Sequence, residues 1–161
     1  MILLVLCPFL HASDLTGTYL LTDSADSLKA QKEAALEKTV AALNPLLRYP
    51  ASLRLSSEPP QCDKYQITPT TKGHSVQCDS HHPLILEPGV ERMHTTKSGQ
   101  ELRVETRLET SAIYFKLHGD SGLMSTRMML SGSTLTVTKS VESPQLPIPL
   151  VMTYTYKKDT P

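Results

Sequence analysis

Between Glu101 and Glu109 the chain alternates without a break: Leu102, Val104, Thr106 and Leu108 occupy one set of positions and every charge occupies the other. Successive side chains of a strand point to opposite faces, so this period of two demands a β-strand with one dry face and one wet face. A single strand cannot bury its dry face alone. Further strands are expected at residues 15–21, 53–55, 64–68, 75–78, 90–95, 113–118, 123–130, 134–141 and 151–157, which carry β-branched, aromatic or alternating residues. Pro-Pro, Lys-Gly, Pro-Gly, Ser-Gly, Gly-Asp and Gly-Ser pairs punctuate them. Short strands joined by short turns fold as an antiparallel up-and-down meander, and closing that meander into a barrel removes its sheet edges.

One stretch breaks the pattern. Leu28, Ala35, Leu36, Thr39, Val40, Leu43 and Leu47 recur at helical spacing, with Lys29, Lys32, Glu33, Glu37 and Lys38 largely opposite. Ser24 or Asp26 can cap this helix, expected over 24–44, and Pro45 and Pro50 end it because proline lacks a donor and clashes with the preceding turn.

The 161 residues suit one domain, and no repeat or linker divides them. With 16 basic and 16 acidic residues the chain has no overall field to attract nucleic acid or an anionic membrane. There is no Trp, and two Phe and six Tyr supply all the rings, so any core or cavity rests on Leu, Val, Ile and Met. Met124, Met128, Met129 and Met152 suit an adaptable apolar surface, and equally well fill gaps in a core.

Residues 1–13 read as a signal-peptide-like segment, with the apolar run from Ile2 to Leu10 followed by Ala12 and Ser13. No Lys or Arg precedes that run, and a buried first strand is the alternative. Ten apolar residues fall short of the roughly twenty a spanning helix needs, and no other stretch approaches that length, so no transmembrane segment is expected. Acylation of Cys7 would require a small residue where Leu6 stands. An extracytoplasmic location, periplasmic or secreted, follows from the leader. In such a compartment Cys62 and Cys78 form an even pair, which favours a disulfide over two free thiols. Their spacing brackets a turn at Thr70–Gly73, and closing a loop of that size stabilises by about 3 kcal/mol.

No catalytic constellation is visible. There is no Gly-x-Ser-x-Gly elbow, no phosphate-cradling glycine loop and no distinct carboxylate pair, so no cofactor and no enzymatic activity are expected. His74, His81, His82 and His94 match no compact metal-ligand spacing and are read as exposed loop residues. Arg103 and Arg107 alternate with the apolar face and should point outward, while Arg127 is open to either side.

The opening residues Leu15, Thr16, Gly17, Thr18 and Tyr19 resemble the Gly-x-Trp strand that begins bacterial lipocalin-like barrels of the calycin superfamily, with Tyr19 at the aromatic position. The closing pair of strands, residues 130–137 and 152–158, is similar to the ending of such barrels, and a helix directly after the first strand resembles the lid of fatty-acid-binding proteins. The family's Trp and its C-terminal helix are both missing here. The resemblance implies a single barrel domain over 14–161 whose interior is either filled or holds one small hydrophobic ligand. Candidate lining residues are Leu102, Val104, Leu108, Phe115, Leu117, Met128, Leu130, Val137, Met152 and Tyr154, with Ile113, Leu135 and Tyr156 beside them. The competing expectation is a solid barrel working through its surface as an envelope interaction or inhibitor protein, with an apolar patch around Leu146, Pro147, Ile148, Pro149 and Leu150. No protein partner is specified by the sequence.

Overall fold

The alternating segment is a strand over the range its pattern demands, Glu101–Glu109, and it sits near one edge of a continuous antiparallel sheet. The computed structural model describes residues 15–56, 59–96, 98–120 and 122–160. In chain order the strands are β1 (Gly17–Leu21), β2 (Lys64–Pro69), β3 (His74–Cys78), β4 (Leu84–Leu86), β5 (Arg92–Thr95), β6 (Glu101–Glu109), β7 (Ala112–Gly119), β8 (Gly122–Ser131), β9 (Thr134–Glu142) and β10 (Leu150–Lys158). Helices α1 (Ala25–Ala41) and α2 (Pro45–Leu55) lie between β1 and β2. The leader-like residues 1–13 fall outside the described residues.

The ten strands run in the order β4-β3-β2-β1-β10-β9-β8-β7-β6-β5, so the sheet curls into a nearly closed barrel of calycin-like fold. Closure runs through β1, which pairs with β2 on one side and with β10 on the other, Tyr19 standing opposite Lys158. The remaining seam, between β4 and β5, has no ladder. It is crossed by an ion pair of 2.7 Å between Glu87 and Arg92 and by a 3.4 Å bond from the Gly89 amide to the Thr106 carbonyl.

The two ends of the barrel differ. At the end opposite the helices Leu15, Ile67, Leu86, Ile113, Met128, Leu135 and Tyr156 are completely buried and fill the interior. Each such side chain contributes about 1.5–3 kcal/mol by leaving water. Packing there is close even at the backbone: a Cβ on Gly73, in the β2–β3 turn, would lie 2.0 Å from the Leu86 carbonyl oxygen, which only glycine avoids.

The helical region departs from expectation. Ser24 caps α1 as expected, its hydroxyl accepting from the Ser27 amide at 3.2 Å. Pro45, however, begins a second helix instead of ending the region. At the first helical position a missing N–H is no loss, and Asn44 caps the turn through its side-chain oxygen, which accepts from the Leu46 amide at 3.2 Å. Pro50 is accommodated inside α2, and residues 53–55, expected as a strand, are its last turn. Helix α1 covers the upper part of β10, where β1 has left the sheet: Asp23 Oδ2 accepts from the Thr155 amide and Gln31 Oε1 from the Thr153 amide. Those two carboxylate and amide oxygens satisfy strand donors that would otherwise be unpaired.

Two further corrections concern polar residues and surface. His74 is not a loop residue but a strand residue of β3, 5% exposed. The segment 146–150 is no exposed patch, since Leu150 is fully buried and Leu146 and Ile148 are half-buried, with Pro149 accepting from Thr39 Oγ1. Exposed large apolar residues cluster on α2 instead, where Leu46, Tyr49 and Leu53 are 87%, 75% and 59% exposed. Among the described residues no helix is long and apolar enough to cross a membrane.

Candidate functional site

Alternation brings Phe115 and Leu117 of β7, Met124 and Thr126 of β8, and Lys139 and Val141 of β9 to the inner wall of the barrel's upper half. There the interior is not filled. A cavity of about 930 Å³ opens toward the helices, walled on one side by these strands and on the other by Leu47, Pro50, Ala51, Arg54 and Leu55 of α2. That volume sits at the upper end of the range of about 300–1,000 Å³ typical of small-molecule sites. The lid at this mouth is α2, while the helix expected to cap the barrel, α1, lies along β10.

Of the candidate lining residues, Leu102, Phe115 and Leu117 face the cavity. Val104, Met128, Val137, Met152 and Tyr154 belong to the packed core cluster, with Leu108 and Leu130 against it. Arg103, Arg107 and Arg127 all point away from the interior. The interior cation is Lys139, which is 4% exposed, and sequence reasoning passed over it. The signal was present: Val137, Lys139 and Val141 share one face of β9, so a lysine interrupts an apolar row.

Residues 59–62, which lead from α2 to β2, form a strap across the floor of the cavity. Three donors from the far wall hold it. Lys139 Nζ donates to the Pro60 carbonyl, the Tyr154 hydroxyl to the Pro59 carbonyl at 3.3 Å, and the Tyr156 hydroxyl to the Cys62 carbonyl at 2.9 Å. Lys139 Nζ also lies 5.8 Å from the ring centres of both Tyr65 and Tyr154, within reach of the attraction between a cation and a ring face. Burial raises the pKa of Tyr65, Tyr154 and Tyr156 above the ordinary phenol value, so these hydroxyls keep their protons.

The Cys62–Cys78 disulfide ties the strap's end to β3, with Cα atoms 5.5 Å apart. Beside it Asp79 adopts φ 48°, a left-handed conformation that aspartate tolerates, and its carboxylate accepts from the Lys64 amide at 2.8 Å and the Asp63 amide at 3.3 Å. Cys62, Cys78 and Asp79 are the one group of metal-ligating residues in proximity among the described residues, and both sulfurs are consumed by the disulfide.

His81, His82 and His94 stand at the mouth. Partial burial lowers the His94 pKa below the ordinary histidine value, and neighbouring His82 lowers it further. Lower in the wall, Thr126 is 1% exposed and its hydroxyl has no hydrogen-bond partner among the described residues. It stands directly opposite Lys139 in the β8–β9 ladder.

No protein-family model matches the chain, and no curated protein is significantly similar to it in sequence. Solved structures do share its architecture. Fatty-acid-binding protein 1 of Echinococcus granulosus superposes with a TM-score of 0.56 at 12% identity, over 92% of this chain and 99% of that one. A "REP1-NXSQ fatty acid transporter" gives 0.57 at 14% identity, over 92% and 98%. A "secretary abundant heat soluble (SAHS)" protein from Ramazzottius varieornatus gives 0.59 at 13% identity, over 92% and 96%. Likeness at this level of identity speaks for architecture alone, and the chain shares with all three the calycin-like β-barrel fold.

Proposed function

We propose that this protein is a non-enzymatic binding protein that holds one small, apolar, lipid-like molecule inside its barrel, and that it works outside the cytoplasm. The cavity of about 930 Å³ between α2 and the strands carries the reading, because a barrel meant only as a scaffold would fill that space with side chains. Leu102, Phe115 and Leu117 would contact the ligand directly, and Val104, Leu108, Met128, Leu130, Val137, Met152 and Tyr154 would support the wall from the core. Neighbours of the same fold that are named for fatty-acid binding support this choice. The ten-strand layout with helices after β1 favours their arrangement over the lipocalin-like one. The disulfide and the leader-like residues 1–13 support an oxidising, extracytoplasmic location.

The test is a fluorescence titration of delipidated protein with Nile red, paired with native mass spectrometry after incubation with mixed lipids. A saturable one-to-one signal and a stoichiometric adduct are expected. Absence of both signals would sink the binding reading and leave the surface-acting barrel, for which the exposed Leu46, Tyr49 and Leu53 of α2 are the relevant observation.

A further inference from the structure

The two sulfurs of the disulfide are chemically unequal. Burial separates them first, since Cys62 is 1% exposed while Cys78, at the end of β3, is partly exposed. Charge separates them further. Lys139 Nζ lies 3.8 Å from Cys62 Sγ, and the Asp79 carboxylate lies 3.8 Å from Cys78 Sγ. Both charges are fixed in place: Lys139 also donates to the Pro60 carbonyl, and the Asp79 carboxylate accepts from the Lys64 and Asp63 amides.

A disulfide is opened by a thiolate that attacks one sulfur and expels the other, and the sulfur better able to carry negative charge leaves faster. The ammonium beside Cys62 stabilises a thiolate there, and the carboxylate beside Cys78 opposes one there. Access and leaving-group charge thus favour the same direction, attack on Cys78 with departure of Cys62. Asp79 also repels an anionic reagent and draws a cationic one toward Cys78.

We propose that the disulfide is a directional thiol-exchange site, at which a small thiol carrying a positive charge joins Cys78 as a mixed disulfide and Cys62 is released as a thiolate paired with Lys139. The reagent enters as its thiolate, having given its proton to solvent. The bond between the two protein sulfurs breaks, one between Cys78 and the reagent forms, and the electron pair of the broken bond stays on Cys62 Sγ, so the number of disulfides is unchanged. The strap loses its covalent tie to β3 and keeps an ionic one to β9. Both cysteines line the cavity, so the added group stands in its wall.

The experiment treats the full, oxidised chain with cysteamine at pH 8, stops exchange with acid, and locates the adduct by peptic digestion and mass spectrometry. Adduct on Cys78 is expected to exceed adduct on Cys62 about tenfold or more. In urea the two cysteines, each followed by an aspartate, should react nearly alike. Lys139→Met should slow the exchange about three- to tenfold and Lys139→Arg should restore it, whereas a merely structural role for the lysine would loosen the strap and speed exchange. At equal thiolate concentration cysteamine should react about threefold or more faster than 3-mercaptopropionate, and Asp79→Asn should close that gap. Adduct on Cys62 or on both cysteines alike in the folded chain, a preference that persists in urea, or exchange only after unfolding overturns the proposal. So does unchanged or faster exchange in Lys139→Met, or 3-mercaptopropionate matching cysteamine.

Discussion

The Tyr156 hydroxyl donates at 2.9 Å to the Cys62 carbonyl, joining residues 94 positions apart in the chain. Tyr156 is completely buried and its ring meets the edge of Tyr65 at 5.0 Å, so nothing in the interior can replace the phenol. Tyr156→Phe leaves the Cys62 carbonyl without that donor and should cost about 1–3 kcal/mol in a urea denaturation, with the slope of the transition unchanged. A loss below measurement would show that the Tyr156 bond adds nothing to what the disulfide, Lys139 and Tyr154 already hold.

Reduction offers a separate test of the strap. The Cys62→Ser, Cys78→Ser double variant should lose about 3 kcal/mol of stability, because the sixteen-residue separation limits the unfolded chain. Calorimetry of both forms reads this as a fall in Tm of about 2–4 °C per kcal/mol for a chain of this size.

Substitutions at two leucines should separate core from surface. Leu135 is fully buried at the filled end, and Leu135→Ala should cost about 2–5 kcal/mol through lost transfer energy and the void left behind. Leu46 on α2 is 87% exposed, and Leu46→Ala should stay within about 0.5 kcal/mol of the parent. Chemical denaturation of the two variants, run side by side, checks the ranking.

A steric prediction concerns Gly73. Gly73→Ala would drive a methyl group to 2.0 Å from the Leu86 carbonyl oxygen, against backbone that cannot rotate away. Loss of about 1–3 kcal/mol is expected, accompanied by faster amide exchange in β3 and β4.

The pH dependence follows from His94. Its pKa is lowered in the folded state by burial and then by His82, so between its folded and unfolded values the unfolded chain binds more protons. Stability should therefore be fully present above the ordinary histidine pKa and fall as pH drops below it. Thermal melts from pH 8 to pH 5 should show that decline, and His94→Gln should flatten it.

Much of the barrel was legible in the sequence because most strands have one wet face. Glu101–Glu109 shows its alternation openly, and the strands from Ala112 to Lys158 differ from their expected limits by only a residue or so at each end. The disulfide was legible from an even pair of cysteines around a turn. β4 was missed because three residues between Pro83 and Pro88 are too few to display a period. Helix α2 was missed because Pro45 and Pro50 were weighed as breakers, although the first position of a helix welcomes proline. The cavity residues were only partly legible. Periodicity tells which side chains point inward but not at what height in the barrel, and height decides whether Leu102 meets open space or Met128 meets packed neighbours. The strap depends on contacts between residues far apart in sequence, which no local pattern encodes.

The pairing of Tyr19 with Lys158 makes the first strand and the last strand immediate neighbours. During synthesis β1 thus waits for its second partner while the other eight described strands are made, and the ring cannot shut until β10, the last of the ten in chain order, arrives. Folding is in this sense a clasp, fastened last, and a permuted chain that links residue 160 back to residue 15 and opens at Gly132 would keep every ladder but change which strand fastens it.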